Sequence, residues 1–220
     1  MKRILKAVIF DLDGVIVDTF DLYYLANKSV ADFLSIIFTR EDNDQYRGIG
    51  RMEIVEDLVQ KSGKNLSLEE KKKLADEKNR YYQQLLRELD ESFILPGIKR
   101  FIEELKANQI KLGIASSSTN GKAVLEKTGL IEYFDCIVDP TTLAKGKPDP
   151  EIFLKAAEEL GVKEENCAAI EDGVAGLKAI NKTNMFAVGV GEAAKIQKAD
   201  WHIDRTDELT YEKLVKNFER

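Results

Sequence analysis

Two acids, Asp11 and Asp13, close an apolar run in KAVIFDLDGVIVDT, residues 6–19. Side by side their charges repel, so the pairing calls for a chemical reason. Further along, the same kind of apolar run is followed by hydroxyls and an amide in ASSSTNG (Ser116, Ser117, Ser118, Thr119, Asn120). Lysines follow another in AKGKPDPEIF (Lys145, Lys147), and acids end a fourth in CAAIED (Glu171, Asp172). Each type has a task if the substrate is a phosphate ester. A carboxylate can attack phosphorus and become an aspartyl-phosphate. A hard divalent cation with oxygen ligands, Mg²⁺ by preference, would bridge the two like charges. Lysine and hydroxyl donors would balance the transferring group. A second acid near the leaving oxygen can give and take a proton. Taken singly, each cluster also reads as a solvated turn, a polar loop, a surface lysine or an acidic helix start. Their order along the chain, each after an apolar run, is what favours a site.

The elements that would position these residues can be read from the same runs. AVIF (7–10), KLGIAS (111–116), CIVD (136–139), CAAIED (167–172) and MFAVGV (185–190) are short and apolar on both faces, as buried parallel strands are. Helical periods lie between them. One is Ile98, Phe101, Ile102 and Leu105. A second runs from Ile152 through Phe153, Ala156, Ala157 and Leu160 to a stop at Gly161, and a third follows Gly173 around Leu177 and Ile180,. Alternation of this kind predicts an α/β protein with a parallel sheet. In such sheets ligands bind at the carboxyl ends of the strands, where the collected residues fall. From about Thr19 to Ser92 the alternation stops. That stretch is helical in pattern (Leu22, Leu25, Val30; Ile54, Val55, Leu58, Val59), with a capping-box signature at Ser67 and Glu70,. It reads as an inserted helical cap, residues 19–92, in a core formed by residues 1–18 and 93–220. About 70 residues suffice for a small core of their own.

With 220 residues, 44% hydrophobic and 33% charged, the chain can bury a sizeable core,. A net charge of −6 argues against a nucleic-acid partner, while a small anionic substrate can still meet a local basic pocket,. No apolar run approaches the roughly 20 residues of a membrane span, and no secretory signal is expected. Cys136 and Cys167 are isolated and read as free thiols, so a cytoplasmic protein is expected, acting as a monomer,. His202, the sole histidine, and the EEKKK run (69–73) suggest structural or solvated roles,.

DLDGV, ASSS, KGKPDP and IEDGVAG, in that order, resemble the four motifs of the haloacid dehalogenase superfamily of phosphoryl-transfer enzymes, over essentially the whole chain. FDLDGVIVDT, RGIGRMEIV, EKNRYY, LPGI, IASSSTNG, DPTTLAKGKPDPEIF and MFAVGVG are similar to the β-phosphoglucomutase family within it. The resemblance implies a Rossmann-like parallel sheet with helices on both faces and a helical cap after the first motif. It implies Mg²⁺ and a small-molecule sugar phosphate: β-glucose 1-phosphate and glucose 6-phosphate would interconvert through a 1,6-bisphosphate. By the same resemblance, Asp11 is the nucleophile and Asp13 the acid/base, its backbone carbonyl facing the metal. Asp172 completes the metal ligands, with Glu171 beside it, and Ser116 and Lys147 hold the transferring phosphoryl group. Ser118 and Asn120, with Ser117 and Thr119 in the same loop, would lie near the second phosphate. Arg51 would bind that phosphate from the cap, with Gly48 and Ile49 shaping its loop, Thr19 at the hinge and Lys78 lining the sugar site.

The chain departs from the family pattern in its cap and substrate loop. Tyr23 stands where the mutases have a histidine, Asn27 where they have a tryptophan, and Thr119 where they have a phosphate-binding lysine. Tyrosine hydrogen-bonds but does not change charge near neutral pH. Two enzymatic outcomes therefore stay open, mutase and sugar-phosphate phosphatase, with a non-catalytic phosphate-binding domain behind them. Release of stoichiometric inorganic phosphate separates the first two.

Overall fold

Strands that are apolar on both faces must be covered on both faces, and that requirement sets the architecture. The computed structural model describes residues 3–192 and 198–219; residues 1–2, 193–197 and 220, within the range expected for the core, lie outside the described residues. Its sheet has β1 (Ala7–Phe10), β2 (Lys111–Ile114), β3 (Cys136–Ile137), β4 (Cys167–Glu171), β5 (Phe186–Val190) and β6 (Trp201–Ile203). All pairings are parallel, in the order β3-β2-β1-β4-β5-β6. The five apolar runs are all strands: β1 has the bounds of its run, and the other four are shorter than theirs by one or two residues. The sixth strand, WHI, is a polar edge strand that no apolar run announces.

The segment after β1 holds α1 (Phe20–Leu34), α2 (Arg40–Asp44), α3 (Arg51–Ser62) and α4 (Leu68–Leu85). The Ser67–Glu70 capping box forms as its sequence suggests, and Thr39 with Asp42 makes a second at α2,. These helices bury their own cluster, including Val30, Leu34, Ile54, Val55, Leu58 and Leu74. Leu25, expected on the buried stripe of α1, is 38% exposed. The face of α1 toward the sheet is carried instead by Ala26 and Tyr23, and the root of the helical block (Tyr82, Leu86, Leu89) packs into the sheet's own core.

The chain returns to the sheet with α5 (Ile98–Ala107), α6 (Gly121–Lys127), α7 (Glu151–Leu160), α8 (Val174–Ile180) and α9 (Tyr211–Phe218). Side chains alternate across the pleat. Val8 and Phe10 of β1 therefore join the cluster under α5, α6 and α9, while Ala7 and Ile9 join the one under α7 and α8. Gly161 ends α7 in the left-handed conformation, as a C-terminal glycine does,. With β1 central and covered on both sides, its carboxyl end is a fixed platform, and Asp11 is the next residue.

Candidate active site

Asp11 continues the backbone path of β1, its N–H donating to the carbonyl of Ile170 on the neighbouring strand, 2.9 Å away. Its carboxylate is buried and its Oδ1 accepts from Lys147 Nζ at 2.6 Å. The same ammonium donates to Glu171 Oε2 at 2.8 Å. Glu171 Oε1 accepts from the backbone N–H groups of Asp172 and Gly173, at 3.1 and 2.9 Å. Lys147 is 1% exposed and Glu171 0%. A buried lysine between two buried acids is tolerable only because each charge is paired. Burial first, then the charge of Glu171, pushes Asp11 well above the ordinary aspartate range, and Lys147 pulls it back. The Lys147 ammonium is correspondingly held above its usual value by the two carboxylates, against its own burial. Lys145, from the same segment, lies on the surface and pairs with Asp149.

Asp13 lies one turn further, its two oxygens held separately. Thr19 Oγ1 donates to Oδ1 at 2.5 Å and Tyr23 OH donates to Oδ2 at 3.2 Å. Burial pushes its carboxyl up to about 6, although both hydroxyls favour the ionised form,. Tyr23 in turn stacks on Tyr82, ring centroids 4.4 Å apart. Gly14, the residue after Asp13, has a positive φ of 85° and no space for a side chain. A Cβ there would fall 2.2 Å from Asp172 Oδ2,.

Asp11, Glu171 and Asp172 each place an oxygen within 4.8 Å of the others. Asp172 Oδ1 is buried without a hydrogen-bond partner. Burial and the charge of Glu171 push its carboxyl up to about 7. A hard cation with oxygen ligands fits this donor set and would satisfy the orphaned oxygen. The carboxylate of Asp13 stands outside the cluster, on Thr19 and Tyr23.

Asp11 and Asp13 line a cavity of about 210 Å³ between sheet and helical block. Of the residues singled out from the sequence, Asp11, Asp13, Thr19, Gly48, Ile49, Arg51, Lys78, Ser116, Ser117, Ser118, Thr119 and Asn120 all line it. Lys147, Glu171 and Asp172 sit behind its floor. Residues 47–51 lie across it like a strap. Ser117 Oγ donates to the Gly48 carbonyl at 2.8 Å, and Arg51 Nη2 donates to Thr119 Oγ1 at 2.5 Å. Lys78 is buried in the wall, where burial and the nearby charge of Arg51 push its amine down to about 7. In the serine loop, Ser118 N–H donates to Ser116 Oγ and Asn120 N–H to Ser118 Oγ. The amide of Asn120 is engaged by α4: it donates to Asn79 at 2.9 Å and accepts from Gln83 at 3.1 Å.

Several residues of the site carried no signal of their own. Arg47 Nη1 donates to Asp172 Oδ2 at 2.6 Å, across 125 positions of sequence. Asn27 and Asn43 form a buried amide pair in the cavity wall, 2.7 Å apart. The change from tryptophan to asparagine at position 27 was the sole hint of the latter.

A buried carboxylate that already holds its counter-ammonium, at the end of the central strand and beneath a helical lid, is equipped for phosphoryl transfer in an α/β enzyme. A family model for haloacid dehalogenase-like hydrolases matches residues 5–183, and the chain belongs to that family. The chain is 46% identical to the β-phosphoglucomutase of Bacillus subtilis (strain 168) over 218 residues, 98% of this chain and 96% of the relative. It is 35% identical to a phosphorylated carbohydrates phosphatase of Thermotoga maritima, over 80% of each chain. The crystal structure of a β-phosphoglucomutase from Clostridium difficile superposes with a TM-score of 0.95 at 40% identity, covering 98% of this chain and 97% of that one. Among the described residues no helix is long and apolar enough to cross a membrane.

Proposed function

We propose that the protein is a Mg²⁺-dependent β-phosphoglucomutase that interconverts β-D-glucose 1-phosphate and glucose 6-phosphate. Asp11 attacks the phosphorus of the bound phosphate ester, and the bond from phosphorus to the leaving oxygen breaks as Asp13 gives that oxygen a proton. The aspartyl-phosphate then passes its phosphoryl group to the 6-hydroxyl of β-glucose 1-phosphate, whose proton goes to Asp13, and from the glucose 1,6-bisphosphate so formed Asp11 takes the 1-phosphate in the same way, leaving glucose 6-phosphate. An acid/base whose carboxyl is pushed up to about 6 can serve both steps,. Ser116 and Lys147 hold the transferring group. Asp11, Glu171 and Asp172, with the backbone carbonyl of Asp13, would hold Mg²⁺, which when bound neutralises charge between nucleophile and phosphate. Arg51, with Ser117, Ser118, Thr119 and Asn120, binds the second phosphate, and Lys78 lines the sugar site. The helical block, residues 19–92, is the cap, and residues 1–18 and 93–220 are the core. A cytoplasmic setting fits the two unpaired thiols, and the protein is proposed to act as a monomer,.

The observation that carries the reading is the strap: residues 47–51 rest on the serine loop and cover the cavity that contains Asp11. A mutase must keep water from its aspartyl-phosphate, and a closing cap does so. The alternative, a sugar-phosphate phosphatase, is favoured by Thr119, which accepts from Arg51 where a lysine would add a second positive charge. One reaction separates them. Protein, Mg²⁺, β-glucose 1-phosphate and a trace of glucose 1,6-bisphosphate are followed for glucose 6-phosphate and for inorganic phosphate. Glucose 6-phosphate without phosphate supports the mutase; stoichiometric phosphate replaces it with the phosphatase.

A further inference from the structure

Arg47 is the one residue of the strap that reaches the acidic cluster itself, and nothing in the proposed reaction yet uses it. Its guanidinium is fixed on three sides. Nη1 donates to Asp172 Oδ2 at 2.6 Å, Nε donates to Asp44 Oδ1 at 3.0 Å, and the plane lies over the Phe20 ring, 4.7 Å from its centroid. The core makes room for this grip with two glycines. A Cβ on Gly14 would collide with Asp172 Oδ2 and approach Arg47 Nη1 to 3.1 Å, and a Cβ on Gly173 would meet the Arg47 carbonyl oxygen at 3.1 Å. Asp172, 7% exposed in its side chain, therefore has one oxygen tied to the cap and the other, Oδ1, buried and unpartnered.

We propose that Arg47 is a positioning residue for Asp172: it grips Oδ2 from the cap, fixes the carboxylate's rotation, and so leaves Oδ1 to the divalent cation. The inference rests on the phosphoryl-transfer reading of the site. Two effects of opposite sign compete. A guanidinium near a cation repels it, which would weaken cation binding. A carboxylate oriented by a hydrogen bond to its other oxygen is a better ligand, and loss of such a partner typically weakens metal affinity about 10- to 100-fold. Orientation prevails here because the Arg47 charge is already shared between Asp44 and Asp172, while Asp172 has no other side-chain partner among the described residues to hold its rotation. The cap thereby contributes to the cation site as well as to the substrate site, and closure and cation binding support one another.

The test is the affinity of the full chain for Mn²⁺, read from the spin-resonance signal of the free ion, without substrate. Wild type, Arg47→Ala, Arg47→Lys and Asp172→Asn are compared, each checked for folding by circular dichroism. The proposal expects Arg47→Ala to bind Mn²⁺ about 10-fold more weakly, Arg47→Lys to recover part of the loss, and Asp172→Asn to lose most of the binding. Wild-type affinity in Arg47→Ala, or tighter binding, overturns the positioning role while leaving the cation site intact. Equal binding by wild type and Asp172→Asn, or none by wild type, overturns the cation site and the inference with it. Should Arg47→Ala fail to fold, Arg47→Lys carries the same comparison, since a single ammonium cannot reproduce the hold on both Asp44 and Asp172.

Discussion

Lys147→Met tests the buried charge cluster most directly. Methionine keeps much of the length but removes the ammonium, and with it the Nζ contact over the Phe153 ring. That ammonium is 2.6 Å from Asp11 Oδ1 and 2.8 Å from Glu171 Oε2, and no side chain of the three is more than 5% exposed. Without it the folded protein escapes two facing buried charges by taking up a proton on Asp11, whose carboxyl is already pushed upward. The cost of holding that proton is bounded by linkage. From the ordinary aspartate value of 3.8 to pH 7 is about 3 pH units, at about 1.36 kcal/mol each, or about 4 kcal/mol,. That agrees with the ~3–5 kcal/mol expected when one partner of a buried pair is removed. At pH 5 about 1.2 units remain, and the bound falls to about 1.6 kcal/mol,. The sign follows from the direction of the shift. Asp11 is raised in the folded state, so its cost is absent below the unfolded value and grows as pH climbs toward the folded one. Urea unfolding of wild type and Lys147→Met at pH 5 and pH 7, in chelator, measures the difference. A loss of several kcal/mol at pH 7 that shrinks at pH 5 is expected. A loss below about 1 kcal/mol at pH 7, or one equal at both pH values, would refute the charge-pairing account.

Asp11→Asn is expected to abolish both turnover and acid-stable-protein labelling by phosphate; substantial residual turnover removes Asp11 as nucleophile. The acid limb of kcat/KM should fall near pH 6, where Asp13 takes up its proton, and Tyr23→Phe, which deletes a hydrogen bond to the ionised form, should move that limb to higher pH,. A limb unmoved by Tyr23→Phe, measured across pH 5–8, would show that the 3.2 Å contact does not act on the acid/base. Arg51→Ala should lower mutase flux at least tenfold while sparing hydrolysis of a small monophosphate; equal losses in the two assays would count against its hold on a second phosphate.

The parts of this protein that could be read from its sequence are those where chemistry sits beside a run of apolar residues. A strand covered on both faces has to be apolar, and the loop after it has to be polar, so Asp11, Ser116 and Glu171 were each announced by what precedes them. The ends of β2 and β3 were overestimated because Ala115 and Val138 are as apolar as strand residues and are buried, but lie beyond the ladder. Strand β6 was missed because Trp201 and His202 stand at a half-exposed edge, where no apolar run is needed. Arg47 was invisible for another reason. Its value lies wholly in a partner 125 positions away, and an arginine in a helical segment is most simply a solvated one. The same holds for Asn27 with Asn43, and for Asn120, whose amide is held by Asn79 and Gln83 of α4. Pairings that depend on how the chain folds back on itself have no local signature.

The place at which the helical block enters the sheet bears on how such pairings act together. It leaves the core at Asp18, five residues after Asp13, and returns beside its own point of exit. Asp18 N–H donates to the Phe93 carbonyl at 2.8 Å, and Leu95 N–H to the Ile16 carbonyl at 2.9 Å, so the two crossings run side by side. The first residue beyond the exit crossing is Thr19 and the first turn of α1 carries Tyr23, the two hydroxyls that hold Asp13. Any rotation of the block about this pair of strands moves Tyr23 relative to Asp13 while Asp11, anchored by β1 and β4, stays where it is. The same rotation lifts Arg47 from Asp172 and Arg51 from Thr119. An insertion at another loop of the sheet could cover the cavity equally well, but it would not place the hinge within a few residues of the proposed acid/base. Were the block to turn about this connection, covering the cavity and aligning the proposed acid/base would be one movement, because the connection that permits the first carries Thr19 and Tyr23, the hydroxyls that hold Asp13.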